Sequence, residues 1–270
     1  MLALLKRIRH RLRLRTRWRA FRQAPRLYRE RFRYALRRAL WDEIKLPLWV
    51  TSPTGTRFFL SQDPIDETIA QDIVSHPDRL YPPSDLLGSG PGVILDIGGH
   101  HGLYAAEALR RYPERRLIVV EPHPGWCRLI RKNLAANGAR DRVRVVAACL
   151  ALDDAKRTLR FDPDSSWGAT VDAGASGRHA VEVESLTLAE ILQSELAAMI
   201  YCNAEGAEYS LVPGVKQLKD RPRVMVLCVH PEYGDADALR REVRAMGYAE
   251  SDLSSNSARP AYHYIMTTAR

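Results

Sequence analysis

Short apolar runs alternate with helix-like segments through most of the chain. Runs typical of strands buried on both faces of a parallel sheet occur at 93–97, 117–120, 143–146, 198–202 and 224–229. Segments with apolar residues at helical spacing lie near 103–111, 126–136, 188–194 and 236–246. This alternation predicts an α/β fold built on a doubly wound, Rossmann-like, mostly parallel sheet.

Other parts of the chain depart from this alternation. Short strands are predicted around a turn at 52–55, and helices at about 26–41 and 66–75. Strands at 158–161 and 181–184 flank a loop, 162–180, rich in Asp, Ser, Gly and Ala. Such a loop is either a disposable insertion or a mobile lid.

Charge divides the chain into two parts. Residues 1–40 hold 14 Arg and one Lys against Glu30, a net charge of +14, whereas the remaining 26 basic and 31 acidic residues give −5. We therefore predict a basic helical arm over residues 1–41 and one large domain over 42–270. Residues 1–23 have no single clean apolar face and too few uninterrupted apolar residues for a signal peptide.

The four cysteines are widely separated and form no Cys-x-x-Cys pair, so neither a zinc site nor a disulfide framework is indicated. No run of eighteen apolar residues occurs, which excludes a transmembrane helix. We expect a cytoplasmic protein that the arm brings to its partner. Anionic lipid, nucleic acid and an acidic protein are the candidates.

A glycine-bearing turn follows the first strand of the predicted sheet. Asp96, Gly98 and Gly102 form the pattern Asp-x-Gly-x-x-x-Gly, with Gly99 inside it. Glycines let backbone N–H groups approach a ligand at a helix N-terminus. A dinucleotide fingerprint starting at Gly98 needs glycine where His100 stands, so NAD binding is disfavoured.

Three later segments give this turn a context. Glu121 ends the second strand, 25 residues beyond Asp96, where a carboxylate can accept hydrogen bonds from ribose hydroxyls. Asn203-Ala-Glu-Gly-Ala-Glu208 and Val229-His230-Pro231 follow. The ordered set resembles the FkbM family of class I S-adenosylmethionine-dependent methyltransferases. The resemblance, from about residue 58 to about 250, implies seven strands, a final antiparallel hairpin and S-adenosylmethionine as cofactor.

The resemblance also implies roles for individual residues. The donor-binding roles carried over from the family are those of Asp96, Gly98, Gly102 and Glu121, and the candidate donor site also includes Gly99, His100 and Tyr104. Candidate catalytic residues are His230, Glu205 and Asn203. Histidine titrates near neutral pH, so His230 is either a general base or a residue that fixes the loop after a strand.

The chain departs from the family pattern where a metal would be expected. Tyr201-Cys202-Asn203 replaces Lys-x-Asp, Thr187 replaces Asp, and Cys228 replaces Glu. Few hard oxygen ligands therefore remain, and the sequence predicts no metal site.

Three functions follow from these observations. The first is methyl transfer to a hydroxyl of a sugar or another small polar acceptor. The second is a weakly active or inactive donor-binding protein, localised by its arm. The third, RNA methylation, is less favoured because the body is acidic and lacks an Asn-Pro-Pro-Tyr type motif.

Overall fold

The computed structural model describes residues 28–40, 47–63, 65–162, 165–171, 179–252 and 261–266. The chain forms two compact units, residues 1–75 and 76–270. The predicted segment 1–23 and the predicted boundary after residue 41 lie outside the described residues. That boundary stays a prediction.

The N-terminal unit contains two helices and a hairpin. Their bounds are α1 Arg31–Leu40, β1 Leu48–Thr51, β2 Arg57–Leu60 and α2 Ile65–Ser75. Strands β1 and β2 pair antiparallel around the turn predicted at 52–55. Both helices occur where helical spacing predicts them.

Helix α1 is anchored to this hairpin by its inward side. Tyr34, Ala35 and Arg37 are buried, and the Arg37 guanidinium donates to the backbone oxygens of Leu60 at 3.0 Å and Ser61 at 2.7 Å. A buried charge needs such partners because leaving water is costly. The second helix of the predicted arm therefore packs within the N-terminal unit, and its removal would expose the hairpin.

The C-terminal unit follows the predicted alternation. Its strands are β3 Val93–Ile97, β4 Leu117–Val120, β5 Val143–Val146, β6 Cys149–Leu150, β7 Arg157–Asp162, β8 Ser165–Val171, β9 His179–Val183, β10 Ser185–Leu186, β11 Ala197–Cys202, β12 Val224–Cys228, β13 Tyr248–Asp252 and β14 Ala261–Met266. Its helices are α3 Pro77–Leu80, α4 Leu103–Arg111, α5 Pro124–Ala136, α6 Leu188–Leu192, α7 Glu208–Gln217 and α8 Ala236–Ala245, with short 3-10 turns at Ser84–Leu87, Arg140–Arg142 and Pro231–Tyr233.

The main sheet has the strand order β13-β14-β12-β11-β3-β4-β5. The five strands from β12 to β5 are parallel, and β14 pairs antiparallel with β12 and β13. Leu95 and Ile97 belong to an apolar cluster with residues of α6, α7 and α8, whereas α4 and α5 contact β4 and β5. The predicted doubly wound fold is confirmed.

Two parts of this unit differ from the sequence-based expectation. The stretch 162–180 was expected to be a loop, but β8 lies within it and pairs with β7, which also pairs with β9. Helix α7 was not predicted, because Pro213 and Gly214 are typical of a chain break. Pro213 is the sixth residue of α7, so only the carbonyl of Tyr209 loses its helical donor.

Candidate functional site

The predicted site residues follow four neighbouring strands of the sheet. Strands β4, β3, β11 and β12 lie side by side and run parallel, so their carboxyl ends meet at one edge. The strand order reverses at β3, and open α/β sheets bind ligands outside the carboxyl ends near such a reversal. The turns that carry Gly98, Glu121, Asn203 and His230 are thereby brought to this edge.

The glycines of the first turn are required by protein contacts. Gly98 and Gly102 have φ of 85° and 78°. A Cβ on Gly98 would collide with the Asn203 backbone oxygen, and one on Gly102 would lie 2.9 Å from Ile130 Cα. The amides of Gly98 and Gly99 each donate to the Val120 oxygen at 3.0 Å. These two amides are therefore engaged within the protein, and the predicted donor-binding role of Gly98 and Gly99 stays a prediction.

We expect Gly98→Ala to destabilise the fold by about 3 kcal/mol or more, because it combines left-handed backbone strain with a steric collision. Gly138→Ala is the matched control, since Gly138 has φ of 68° but open space around its missing Cβ. Gly138→Ala should lower the free energy of unfolding by about 1 kcal/mol. Urea unfolding measures both free energies. Equal losses would show that the Asn203 contact contributes nothing.

Asp96 lies at the end of β3 with an unusual environment for a carboxylate. Its side chain is fully buried, and neither oxygen has a hydrogen-bond partner among the described residues. Burial raises the pKa of Asp96 to about 8. A buried carboxyl group without donors is costly to the fold, so it is a candidate to receive donors from a ligand.

Three stacked tyrosine rings belong to the same region. Tyr104 stacks on Tyr81 with ring centroids 4.8 Å apart, and on Tyr201 with centroids 3.7 Å apart. Tyr201 is also the β11 partner of Asp96 in the sheet, which places their side chains next to each other on one face. Burial raises the pKa of each of these tyrosines well above its ordinary value, so the rings stay neutral.

Glu121 ties the glycine turn to the turn after β4. Its two carboxylate oxygens accept the backbone N–H groups of His100 and His123, each at 2.8 Å. Burial is the main cause that raises the pKa of Glu121 to about 8. The two backbone hydrogen bonds oppose this shift, and Asp96 adds to it. Each oxygen retains a further lone pair for a ligand hydroxyl.

Aromatic and imidazole rings surround the start of α5. The ring of His100 stacks on His101 at 3.8 Å and lies 5.1 Å from Trp126. His123 caps the helix by accepting from Gly125 N and Trp126 N through Nδ1. Its own pKa is lowered, mainly by burial. This neutral ring therefore carries its hydrogen on Nε2.

His230, directly after β12, is held between two glutamates. Its backbone N donates to Glu208 Oε1 at 2.6 Å, and its Nδ1 lies 3.0 Å from the same oxygen. Because a carboxylate only accepts, Nδ1 carries the hydrogen and Nε2 of a neutral ring is a base. Nε2 lies 3.9 Å from Glu205 Oε2. The ring is fully buried, so its orientation is set by these contacts.

The turn after β11 aims Glu205 at this ring. Glu205 has φ of 36°, a left-handed value that is strained for a residue with a side chain. The Gly206 amide donates to Glu208 Oε2 at 3.0 Å and closes the turn. Asn203 is exposed, and its Nδ2 lies 3.5 Å from the Tyr201 hydroxyl. Among the described residues, no hydrogen bond joins Asn203 to His230.

Glu208 was not among the site residues predicted from the sequence, but it contacts one of them, His230. It is fully buried at the first position of α7, and it fixes the tautomer of His230. The second glutamate of Glu205-Gly-Ala-Glu208 was a signal for it. Thr187, by contrast, is structural: it forms a capping box with Glu190 at the start of α6, accepting from Glu190 N at 3.3 Å.

The seven-stranded order, with β14 antiparallel between β12 and β13, gives this chain the class I methyltransferase fold.

Comparison with known proteins finds distant structural similarities only. No protein-family model matches the chain, and no curated protein matches it. Among solved structures, it is similar to a delta-N METTL16 methyltransferase domain, with 17% identity and a TM-score of 0.43 over 72% of this chain and 84% of that one.

Two bacterial structures are similar to the same extent. One is an O-methyltransferase family protein from Burkholderia thailandensis, with 14% identity and a TM-score of 0.45 over 76% of this chain and 60% of that one. The other is precorrin-6y C5,15-methyltransferase from Geobacter metallireducens, with 15% identity and a TM-score of 0.43 over 72% of this chain and 89% of that one.

Proposed function

We propose that this chain is an S-adenosylmethionine-dependent O-methyltransferase, related to the FkbM family, that acts on a hydroxyl of a sugar or another small polar acceptor. The observation that carries the proposal is the fixed His230 ring, whose Nε2 is a base at the carboxyl edge of a class I methyltransferase sheet.

The residues at this edge fit the donor. Asp96 has two buried oxygens that no described residue satisfies, and Glu121 has lone pairs to spare. The donor has an ammonium group and two ribose hydroxyls, which are the hydrogen-bond donors that such carboxylates need. We assign Asp96 and Glu121 to holding it, with Tyr104 and Tyr201 as the aromatic wall beside Asp96.

The chemistry of the chain's own residues is acid–base. When bound, S-adenosylmethionine supplies a methyl group on a positively charged sulfur. An acceptor hydroxyl that reaches the buried ring gives its proton to Nε2 of His230, while Glu208 holds Nδ1–H and Glu205 faces the imidazolium that results.

Calorimetric titration tests the donor assignment. We expect S-adenosylmethionine and S-adenosylhomocysteine to bind and NAD not to bind. Transfer of label from methyl-labelled donor to a panel of sugars and other small hydroxyl compounds then tests the acceptor class. NAD binding without donor binding would refute the proposed enzyme. Donor binding without transfer to any hydroxyl would favour the alternative, a weakly active or inactive donor-binding protein.

We expect transfer to continue at the same rate after a strong chelator is added. Of the positions where the family pattern has carboxylates, 187 holds a helix cap, 203 an amide and 228 a thiol, and such groups are poor ligands for Mg²⁺. Activity assays with and without chelator decide the matter. A strict requirement for Mg²⁺ or Mn²⁺ would mean that other residues bind a metal.

A further inference from the structure

The outward side of helix α1 combines arginine with large apolar side chains. Phe32 is 69% exposed and Leu36 is 59% exposed, one helical turn apart, and Arg33 is exposed between them. The opposite side of the same helix, with Tyr34 and Ala35, is buried. We call Phe32, Arg33 and Leu36 the outer face of α1.

The charges around the outer face are one-sided. Glu30 is the only acidic residue among the first 40, and its carboxylate is engaged by Thr51, whose backbone N and Oγ1 donate to it at 2.6 and 2.7 Å. Arg37 is turned inward to backbone oxygens. Exposed Arg29 and Arg33 are left to face solvent, in a stretch whose net charge is +14.

We propose that the outer face of α1 binds the surface of an anionic phospholipid membrane. Large apolar side chains that alternate with arginine insert at the boundary between headgroups and acyl chains, while the guanidinium groups pair with lipid phosphates. Nucleic acid would use the same positive charge but has no need of exposed Phe32 and Leu36 side by side. The attachment is peripheral, since none of the helices in the described part of the chain has the length and apolarity of a bilayer span.

Vesicle sedimentation of the full chain tests this surface. The vesicles are pure phosphatidylcholine, or phosphatidylcholine with phosphatidylserine at about 3:1. The wild type should sediment with the anionic vesicles only, and high salt should release it. The double variant Phe32→Ser with Leu36→Ser should bind at least about tenfold more weakly, because two apolar side chains no longer insert.

A matched control separates this effect from a general loss of surface apolarity. Leu152, in the C-terminal unit, is 58% exposed, and Leu152→Ser should leave vesicle binding unchanged. The double variant leaves the buried side of α1 intact, and circular dichroism checks that it folds. The proposal is overturned if the wild type ignores anionic vesicles at low salt, if the double variant binds them as the wild type does, or if a DNA or RNA duplex outcompetes them.

Membrane binding does not depend on the proposed enzymatic activity. Donor titration of the double variant should give the wild-type affinity, so failure of the membrane proposal and failure of the methyltransferase proposal are separate results.

Discussion

Replacing His230 with Gln is expected to lower the rate of methyl transfer by about 10²- to 10⁴-fold while donor affinity stays nearly unchanged. The glutamine side chain can hydrogen-bond, but it cannot take the proton of the acceptor hydroxyl at neutral pH. Donor affinity should persist because the two carboxylates assigned to the donor, Asp96 and Glu121, lie at the ends of β3 and β4, whereas His230 follows β12. Label transfer gives the rate, and calorimetry gives the affinity.

Glu208→Gln separates a positioning role from a structural one. An amide can accept or donate at Nδ1, so the tautomer of His230 is no longer fixed, and the rate should fall by about tenfold with a shifted pH profile. Glu182→Gln, on the exposed surface of β9, is the control and should leave the rate and the pH profile unchanged. If Glu208→Gln lowers stability but leaves the pH profile unchanged, Glu208 serves only packing.

A wild-type rate of methyl transfer in His230→Gln would show that His230 takes no part in the chemistry.

Asp96→Asn is expected to weaken donor binding by about 10- to 100-fold and to stabilise the ligand-free protein above pH 8. A hydrogen bond to a charged group contributes about 1.5–3 kcal/mol, which accounts for the lost affinity. The gain in stability arises because an ionised carboxylate no longer has to be buried. Asp85→Asn, on the exposed 3-10 turn, is the control for both measurements. Unchanged donor affinity in Asp96→Asn would place the donor elsewhere.

The pH dependence of stability follows from the same carboxyl group. Asp96 in the unfolded chain ionises near its ordinary pKa of 3.8, whereas in the fold its pKa is about 8. Between these values the folded state holds the extra proton, so the free energy of unfolding should fall as pH rises through this window and level off above it. Urea unfolding from pH 5 to about 9 should show this slope, and Asp96→Asn should reduce it to the part that Glu121, whose pKa is also raised to about 8, contributes.

Donor binding should release protons near neutral pH. A positively charged ligand favours the ionised forms of Asp96 and Glu121, both of which have a pKa of about 8 without it. Calorimetry in buffers of different ionisation enthalpy measures the release, and Asp96→Asn should release fewer protons. Uptake of protons on binding would contradict this account.

The sheet was predictable because each of its inner strands is a short, continuous apolar run, and such a run is typical of a strand buried on both faces. The 93–97 run, the Gly98 turn and the position of Glu121 at the end of β4 are all local patterns, and all are found where the sequence predicts them. Helix α7 was missed because Pro213 and Gly214 suggest a break, whereas the buried side chains of Leu211, Val212 and Val215 hold the helix against the sheet.

The site was only partly predictable, because tertiary contacts decide how its residues are used. His230 and Glu205, which the sequence marks as candidate catalytic residues, lie 3.9 Å apart, from Nε2 to Oε2. Residue 98 has to be glycine because a Cβ there would collide with the Asn203 backbone oxygen. The two turns lie about a hundred residues apart in the sequence, so no local pattern shows this contact. Glu208 acquires its role from the same kind of long-range contact, with His230.

The central position of β3 has a consequence for how the protein is made. Val93 pairs with Ala197, so one edge of β3 has no partner until the ribosome has added about a hundred further residues. During that interval the unpaired edge of an apolar strand can pair with other nascent chains. Emerging chains should therefore depend on chaperones until β11 leaves the exit tunnel.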